Sequence, residues 1–206
     1  MAALNEYEDD GEWPRWAGDF ERPLADAFIE NPNTIQPVVA RMVEHRPCHT
    51  DRVAEAIARA VRDTDEISAD AAVQIAVELD EVATSYSRQM IARTIEDRWA
   101  TMSEESKNTA IGLLEAWSDP EHEADPDPAY QTESDRDLAT DGLNSTRGGV
   151  AVSLIGIARE ETAPELSQRV LAVLERVSGD PSPAVRAVFL LYLRNLYGDL
   201  ESQLLF

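Results

Sequence analysis

The side chains best suited to metal binding, His45, Cys48 and His49, lie together in the pattern H-x-x-C-H. Imidazole and thiolate groups are zinc ligands, but a structural zinc site needs four ligands, and a catalytic site needs three and a water molecule. Asp51 could supply a fourth ligand, but the sequence has no second cluster. Histidine and cysteine are also ordinary residues at the end of a helix. We therefore predict no metal site.

Lys107 is the only lysine among the 206 residues. A P-loop requires G-x-x-x-x-G-K-[ST], and no glycine loop precedes this lysine. Its polar surroundings do not favour a Schiff-base role either. The chain also lacks the G-x-S-x-G motif of hydrolases, and its 40 acidic residues make chance pairs of carboxylates inevitable. We predict no catalytic residue and no cofactor, and an enzyme with an unrecognised carboxylate site is the weakest of our hypotheses.

The charge balance limits the classes of partner. Forty acidic residues face 18 basic ones, and the net charge is -22. Such a chain repels phosphate backbones and anionic lipid, so we predict that it binds neither nucleic acid nor membranes. An acidic surface poor in lysine resembles those of halophilic proteins, in which molar salt screens the self-repulsion. The alternative is an acidic face for a basic partner.

The address predicted from the sequence is the cytoplasm. The sequence contains no apolar run of about 18 residues that could form a transmembrane helix. Its first ten residues carry acidic side chains instead of the basic region of a signal peptide. Cys48, the single cysteine, excludes an internal disulfide and fits a reducing compartment.

Helical periodicity dominates the chain, and no alternating strand pattern longer than four residues occurs, so the predicted class is all-α. Residues 1–22 are predicted as an acidic aromatic arm, in which Trp13 and Trp16 either dock into a partner or cover the first hairpin. Helical hairpins are predicted over 23–117, and an exposed acidic loop over 118–137. Helix starts are expected near these residues: Pro23, Asp51, Ser68, Ser87, Ser103, Thr146, Pro164 and Pro183.

Residues 138–206 contain an internal repeat. A shift of 39 positions superposes Asp141 on Asp180 and Arg147 on Arg186. Thirty-nine residues is close to the length of one helical hairpin in HEAT or armadillo arrays. The segment from Asp180 to Arg186, with the sequence DPSPAVR, resembles the turn and second-helix start of a HEAT repeat.

This resemblance implies antiparallel helical hairpins stacked as a short HEAT/armadillo-like α-solenoid, interrupted by the long acidic loop. It also implies that the aspartate and the arginine six positions later pair with each other or with neighbouring repeats. A carboxylate satisfies helix N–H groups, and a planar guanidinium bridges stacked hairpins. Asp141, Arg147, Asp180 and Arg186 would then be structural, with anion binding as the alternative for the two arginines.

A second resemblance concerns residues 125–149, which are similar to a stretch in the helical C-terminal arrays of very large microbial P-loop NTPases with suspected signalling or defence roles. The last helix is apolar on all sides, and the sequence ends in Leu204, Leu205 and Phe206. These residues either fold back, form a homo-oligomer contact, or meet a partner or the rest of a longer, truncated array. We predict an interaction scaffold that binds another protein, with a detached or truncated sensor or oligomerisation module of such an NTPase as the alternative.

Overall fold

The computed structural model describes residues 18–47, 49–121 and 138–204. Within these ranges the regular structure consists of α-helices and short 3-10 segments, and this part of the chain contains no strand. The prediction of an all-α protein is therefore confirmed. No helix among the described residues is both long enough and apolar enough to cross a membrane.

The chain divides into two compact units, Met1–Thr94 and Ile95–Phe206. The sequence had instead suggested a division at the acidic loop, between 23–117 and 138–206. The helix that ends at Trp117 belongs to the second unit, because it packs against two of the helices that follow the loop. Residues 122–137 of the predicted loop and 1–17 of the predicted arm lie outside the described residues.

The first unit is built from paired helices. Its elements are α1 (Gly18–Glu30), α2 (Ile35–His45), α3 (Thr50–Asp63), α4 (Ala69–Leu79) and the first part of α5 (Ser85–Arg98). Helix α1 packs on α3, and α2 packs on α4. The apolar stripes recognised in the sequence face these contacts, so Ile35, Val39 and Met42 of α2 and Ile57 of α3 are buried.

Helix α1 begins before the expected position, at Gly18, and therefore includes Pro23. The proline costs the helix one N–H hydrogen bond. The turn before it is held by Glu21, a buried side chain that accepts hydrogen bonds from Nε and Nη2 of Arg59 on α3 at 3.0 and 2.5 Å. Residues 18–22 thus belong to the helical unit and not to the predicted arm.

Two serines cap the helices for which the sequence proposed them. The hydroxyl of Ser68 accepts a hydrogen bond from the N–H of Ala71 at 3.2 Å at the start of α4. Ser103 likewise accepts from the N–H of Ser106 at 3.3 Å. Asp51, in contrast, is an exposed first-turn residue of α3 and not its N-cap. At that position its carboxylate still faces the positive end of the helix dipole.

In its described residues, the second unit contains the end of α5 and five further helices. These are α6 (Glu104–Trp117), α7 (Leu138–Leu143), α8 (Thr146–Glu160), α9 (Pro164–Ser178) and α10 (Pro183–Leu204). The last three begin at the residues predicted from the sequence, whereas the short helix α7 was not predicted. Helix α10 packs on α7, α8 and α9, and α6 packs on α8 and α9. Trp117, Leu154 and Ile157 are fully buried in this core.

Candidate interaction surface

The start of α10 is held by a buried ion pair. Nε and Nη2 of Arg147, near the beginning of α8, donate to the carboxylate of Asp180 at 2.9 and 3.3 Å. The two side chains are only 2% and 1% exposed. Asp180 lies in the turn between α9 and α10, and its Oδ1 also accepts the N–H of Ser182 at 2.8 Å. The pair therefore joins the first turn of α8 to the corner that precedes α10.

Arg186 lies on the same corner but does not contact the carboxylate of Asp180. Its Nη1 donates to the backbone carbonyl oxygens of Asp180 and Pro181 at 2.5 and 2.9 Å. The resemblance left open whether the arginine pairs within its own turn or with a neighbouring one. In the structure the acidic side chain of one turn meets Arg147, 33 residues earlier in the chain.

The aspartates superposed by the 39-residue shift occupy different positions. Asp180 lies in an interhelical turn, whereas Asp141 lies within α7 and takes no part in the Arg147 pair. The N-cap of α8 is Ser145, whose hydroxyl accepts the N–H of Gly148 at 3.0 Å. Asp141 and Asp180 were expected in equivalent turns between helices. They are not equivalent in the structure, because α7 extends the helical backbone past Asp141.

Gly142 explains how α7 reaches α10. A Cβ atom at this position would overlap the carbonyl oxygen of Ala184 and a methyl group of Val188. Only glycine lets the backbone of α7 lie directly against α10. Close contact through Gly142 and the Arg147–Asp180 pair together determine which side of α10 is covered.

The first three turns of α10 have one buried side and one open side. Val185, Val188 and Phe189 are buried against the rest of the second unit. Leu190 and Leu191 are 63% and 49% exposed. The sequence, in which apolar residues surround this helix, is typical of a helix covered on several sides. The structure leaves two neighbouring leucines open instead.

The open side carries positive charge. Residues 186, 187, 190, 191 and 194 share one side of the helix at the 3.6-residue period, and we call them the α10 face: Arg186, Ala187, Leu190, Leu191 and Arg194. Arg194 is exposed and Arg186 is half-buried. No acidic residue occurs from position 183 to 197, although the whole chain carries a net charge of -22. The face is therefore an apolar patch with a guanidinium one turn to either side of Leu190.

Lys107 takes part in a separate polar cluster. Glu161 accepts hydrogen bonds from the indole Nε1 of Trp99 at 2.9 Å and from Nζ of Lys107 at 3.0 Å. The ammonium group lies 5.1 Å from the centre of the Trp99 ring, within the range of a cation–π contact. Burial raises the pKa of Glu161, but hydrogen bonds from the Ala163 N–H, Lys107 and Trp99 outweigh it, so the pKa lies below its usual value. These contacts connect α6 to the end of α8. They also provide partners for the side-chain amine of Lys107, the only lysine in the sequence.

A second carboxyl group with a shifted pKa, that of Glu55 on α3, lies in the first unit. Burial raises its pKa above the usual value; Arg52 opposes this shift, and the nearby Glu21 carboxylate adds to it. The Glu55 carboxylate accepts hydrogen bonds from Arg52 at 3.2 Å and from the hydroxyl of Thr84 at 3.3 Å. Perturbed carboxyls occur at functional sites and in structural networks alike. Because each of these partners is a helix or turn residue of the same unit, the contacts match a structural network.

The structure describes no side chain of the other interaction residues proposed from the sequence. Trp13, Trp16, Leu205 and Phe206 lie outside the described residues, and Leu204 ends α10 without a described side chain. His45 and His49 are described, but Cys48 is not. Among the residues that the structure describes, no three His, Cys, Asp or Glu side chains are grouped so as to hold a metal ion.

Comparison of the chain with models of protein families found no match, and neither the curated proteins nor the solved structures gave a match. No relative therefore supplies site residues for this chain. The α10 face is the described surface with the features of a binding site, since it combines exposed leucines with arginines. The interacting residues proposed from the sequence, Trp13, Trp16 and Leu204–Phe206, lie elsewhere in the chain, and the structure describes none of their side chains.

Proposed function

We propose that this chain is a protein–protein interaction scaffold of HEAT-repeat type, without catalytic activity of its own, and that the α10 face is its docking surface. The Arg147–Asp180 pair supports the HEAT assignment, because it links two helix starts through an acidic turn residue and a guanidinium. That is the chemistry which the resemblance of residues 180–186 implies. Helical arrays of this kind most often work by binding other proteins.

The observation that carries the proposal is the exposure of Leu190 and Leu191 on a helix whose opposite side, with Val185, Val188 and Phe189, is buried. A single exposed leucine needs no explanation, but adjacent ones form a patch that a partner can cover. Fully burying one leucine contributes about 1.5–3 kcal/mol, so covering the open parts of both contributes roughly 2–3 kcal/mol. Arginine is among the side chains that most often carry binding energy in protein interfaces.

A photo-crosslinking experiment tests the proposal. A photoreactive amino acid replaces Leu190 in the full chain, which is expressed in the cells that naturally produce it. The control carries the same amino acid at Leu171 of α9, an isolated leucine that is 57% exposed. We expect a discrete crosslinked protein at position 190 and none at position 171. Equal crosslinking at both positions, or none at position 190, would contradict the proposal.

Self-association must be measured in parallel, because a second copy could also cover the patch. Light scattering of the purified chain over a range of concentrations, in low and in molar salt, reports its mass. A dimer that Leu190→Glu abolishes and Leu171→Glu preserves would favour an oligomerisation module instead. A monomer, together with a specific crosslink at position 190, would favour the scaffold.

A further inference from the structure

We propose that the α10 face binds an amphipathic helix of another protein, one whose apolar stripe is flanked by acidic side chains. This inference rests on the proposed function and adds the chemistry of the partner to it.

The geometry of the face fits a short helical ligand. Arg186, Leu190 and Arg194 are spaced four residues apart and lie one above another along α10. At about 1.5 Å of rise per residue, the line from the first to the last spans about 12 Å, or roughly two helical turns. Ala187 and Leu191 form a parallel line beside it, and the small alanine side chain leaves room for a large apolar side chain of the ligand. A ligand helix with apolar side chains at the same spacing would cover both leucines.

The two arginines determine the sign of the charges at the edge of the ligand. A guanidinium one turn to each side of Leu190 is suited to a carboxylate, which it can bind through two parallel hydrogen bonds. Arg186 already donates to two backbone carbonyls from one nitrogen, Nη1, and the side chain is half-buried. It is therefore held in place before any ligand arrives, and less conformational freedom is lost on binding.

The net charge of the chain acts against an acidic partner only at long range. Repulsion from the acidic side chains elsewhere is screened beyond about 8–10 Å at moderate salt, and over shorter distances in molar salt. Contacts made within the face are shorter than that. The arginines of the face therefore favour an acidic ligand locally, whereas the net charge of the whole chain would favour a basic one.

The same charges disfavour a second copy of this chain as the occupant. A two-fold contact brings the same surface of both copies together. The face of each copy has two arginines and no acidic residue, so guanidinium groups would meet guanidinium groups. Like charges across an interface reduce affinity and suppress the wrong partner.

Two designed helical peptides provide the test. Both carry the same leucine stripe; one has glutamate and the other has lysine at the flanking positions. Fluorescence anisotropy with the full chain at about 0.1 M KCl should give an affinity about tenfold higher for the acidic peptide, and the difference should shrink in molar salt. Arg194→Glu should reverse the preference, and Leu190→Ser should weaken the binding of both peptides. Leu171→Ser, the matched control on α9, should change neither affinity.

Tighter binding of the lysine peptide would overturn the inference, as would a preference for the acidic peptide that Arg194→Glu leaves unchanged. A dimer that depends on Leu190 would identify a second copy as the occupant and would also overturn it. If neither peptide binds, the partner chemistry is wrong. The crosslink at position 190 still decides the proposed function in that case, because that experiment makes no assumption about the charge of the partner.

Discussion

Replacing Arg147 by methionine should destabilise the second unit by more than any substitution on the surface of the protein. The Asp180 side chain is only 1% exposed in the parent, and the variant keeps the Ser182 N–H as its remaining partner among the hydrogen bonds described above. Removing one partner of a buried ion pair costs about 3–5 kcal/mol, because the other charge stays buried without compensation. For a chain of this length such a loss corresponds to a fall in melting temperature of about 6–20 °C.

Arg186→Met is the matched control for this variant. Arg186 donates to backbone carbonyls and leaves the Asp180 carboxylate untouched, so its loss should cost about 1–2 kcal/mol. The resemblance to a HEAT repeat also allowed Arg186 to pair with Asp180 in its own turn, in which case its removal would strand the Asp180 carboxylate. The structure assigns that effect to Arg147.

A double-mutant cycle separates the two arginines. Combining Arg147→Met with Asp180→Asn removes both buried charges, so the double variant should be more stable than the sum of the single losses implies, with a coupling of about 2 kcal/mol or more. The cycle of Arg186→Met with Asp180→Asn should show a smaller coupling. Urea titrations followed by circular dichroism in a fixed salt concentration give these energies. The reasoning is refuted if Arg147→Met lies within about 1 kcal/mol of the parent or if both cycles show the same coupling.

Four further predictions concern a backbone contact, the titration of two carboxyl groups and the effect of salt. Gly142→Ala should lower the melting temperature, because its methyl group would overlap α10, whereas Gly112→Ala in α6 meets open space and should stabilise the helix by about 0.5–1 kcal/mol. The pKa of Glu55 is raised above its ordinary 4.5, so its ionisation costs stability as pH rises through that value; Glu55→Gln should melt above the parent at neutral pH and match it in acid. The pKa of Glu161 is lowered, so its contribution is present above 4.5 and is lost as pH falls; Glu161→Gln should melt below the parent at neutral pH, by an amount that shrinks in acid. Equal changes in melting temperature for the two glycine variants, or for the two glutamate variants, would contradict these assignments. Raising the KCl concentration should raise the melting temperature, because the chain carries a net charge of -22, and a melting temperature independent of salt would count against a self-repelling surface.

Local signals in the chain were sufficient to establish the helical class and most of the helix starts. Ser68 and Ser103 cap the helices that follow them, and Pro164 and Pro183 open α9 and α10. These features depend on interactions between residues three or four positions apart, or on the fixed backbone angle of proline, so the sequence displays them directly. Helix α7 was missed because it has only six residues and includes Gly142, a poor helix former.

Long-range packing determined the features on which the proposed function depends. The pairing of Arg147 with Asp180 joins residues 33 positions apart, and the repeat pattern was equally compatible with a contact inside one turn. The open position of Leu190 was not predicted from the sequence, because apolar residues surround α10, although Arg186 and Arg194 lie one turn to either side of Leu190. The approach of α7 and α8 covers one side of α10 and leaves the other side to solvent. Burial is a property of the neighbours of a helix as much as of its own residues.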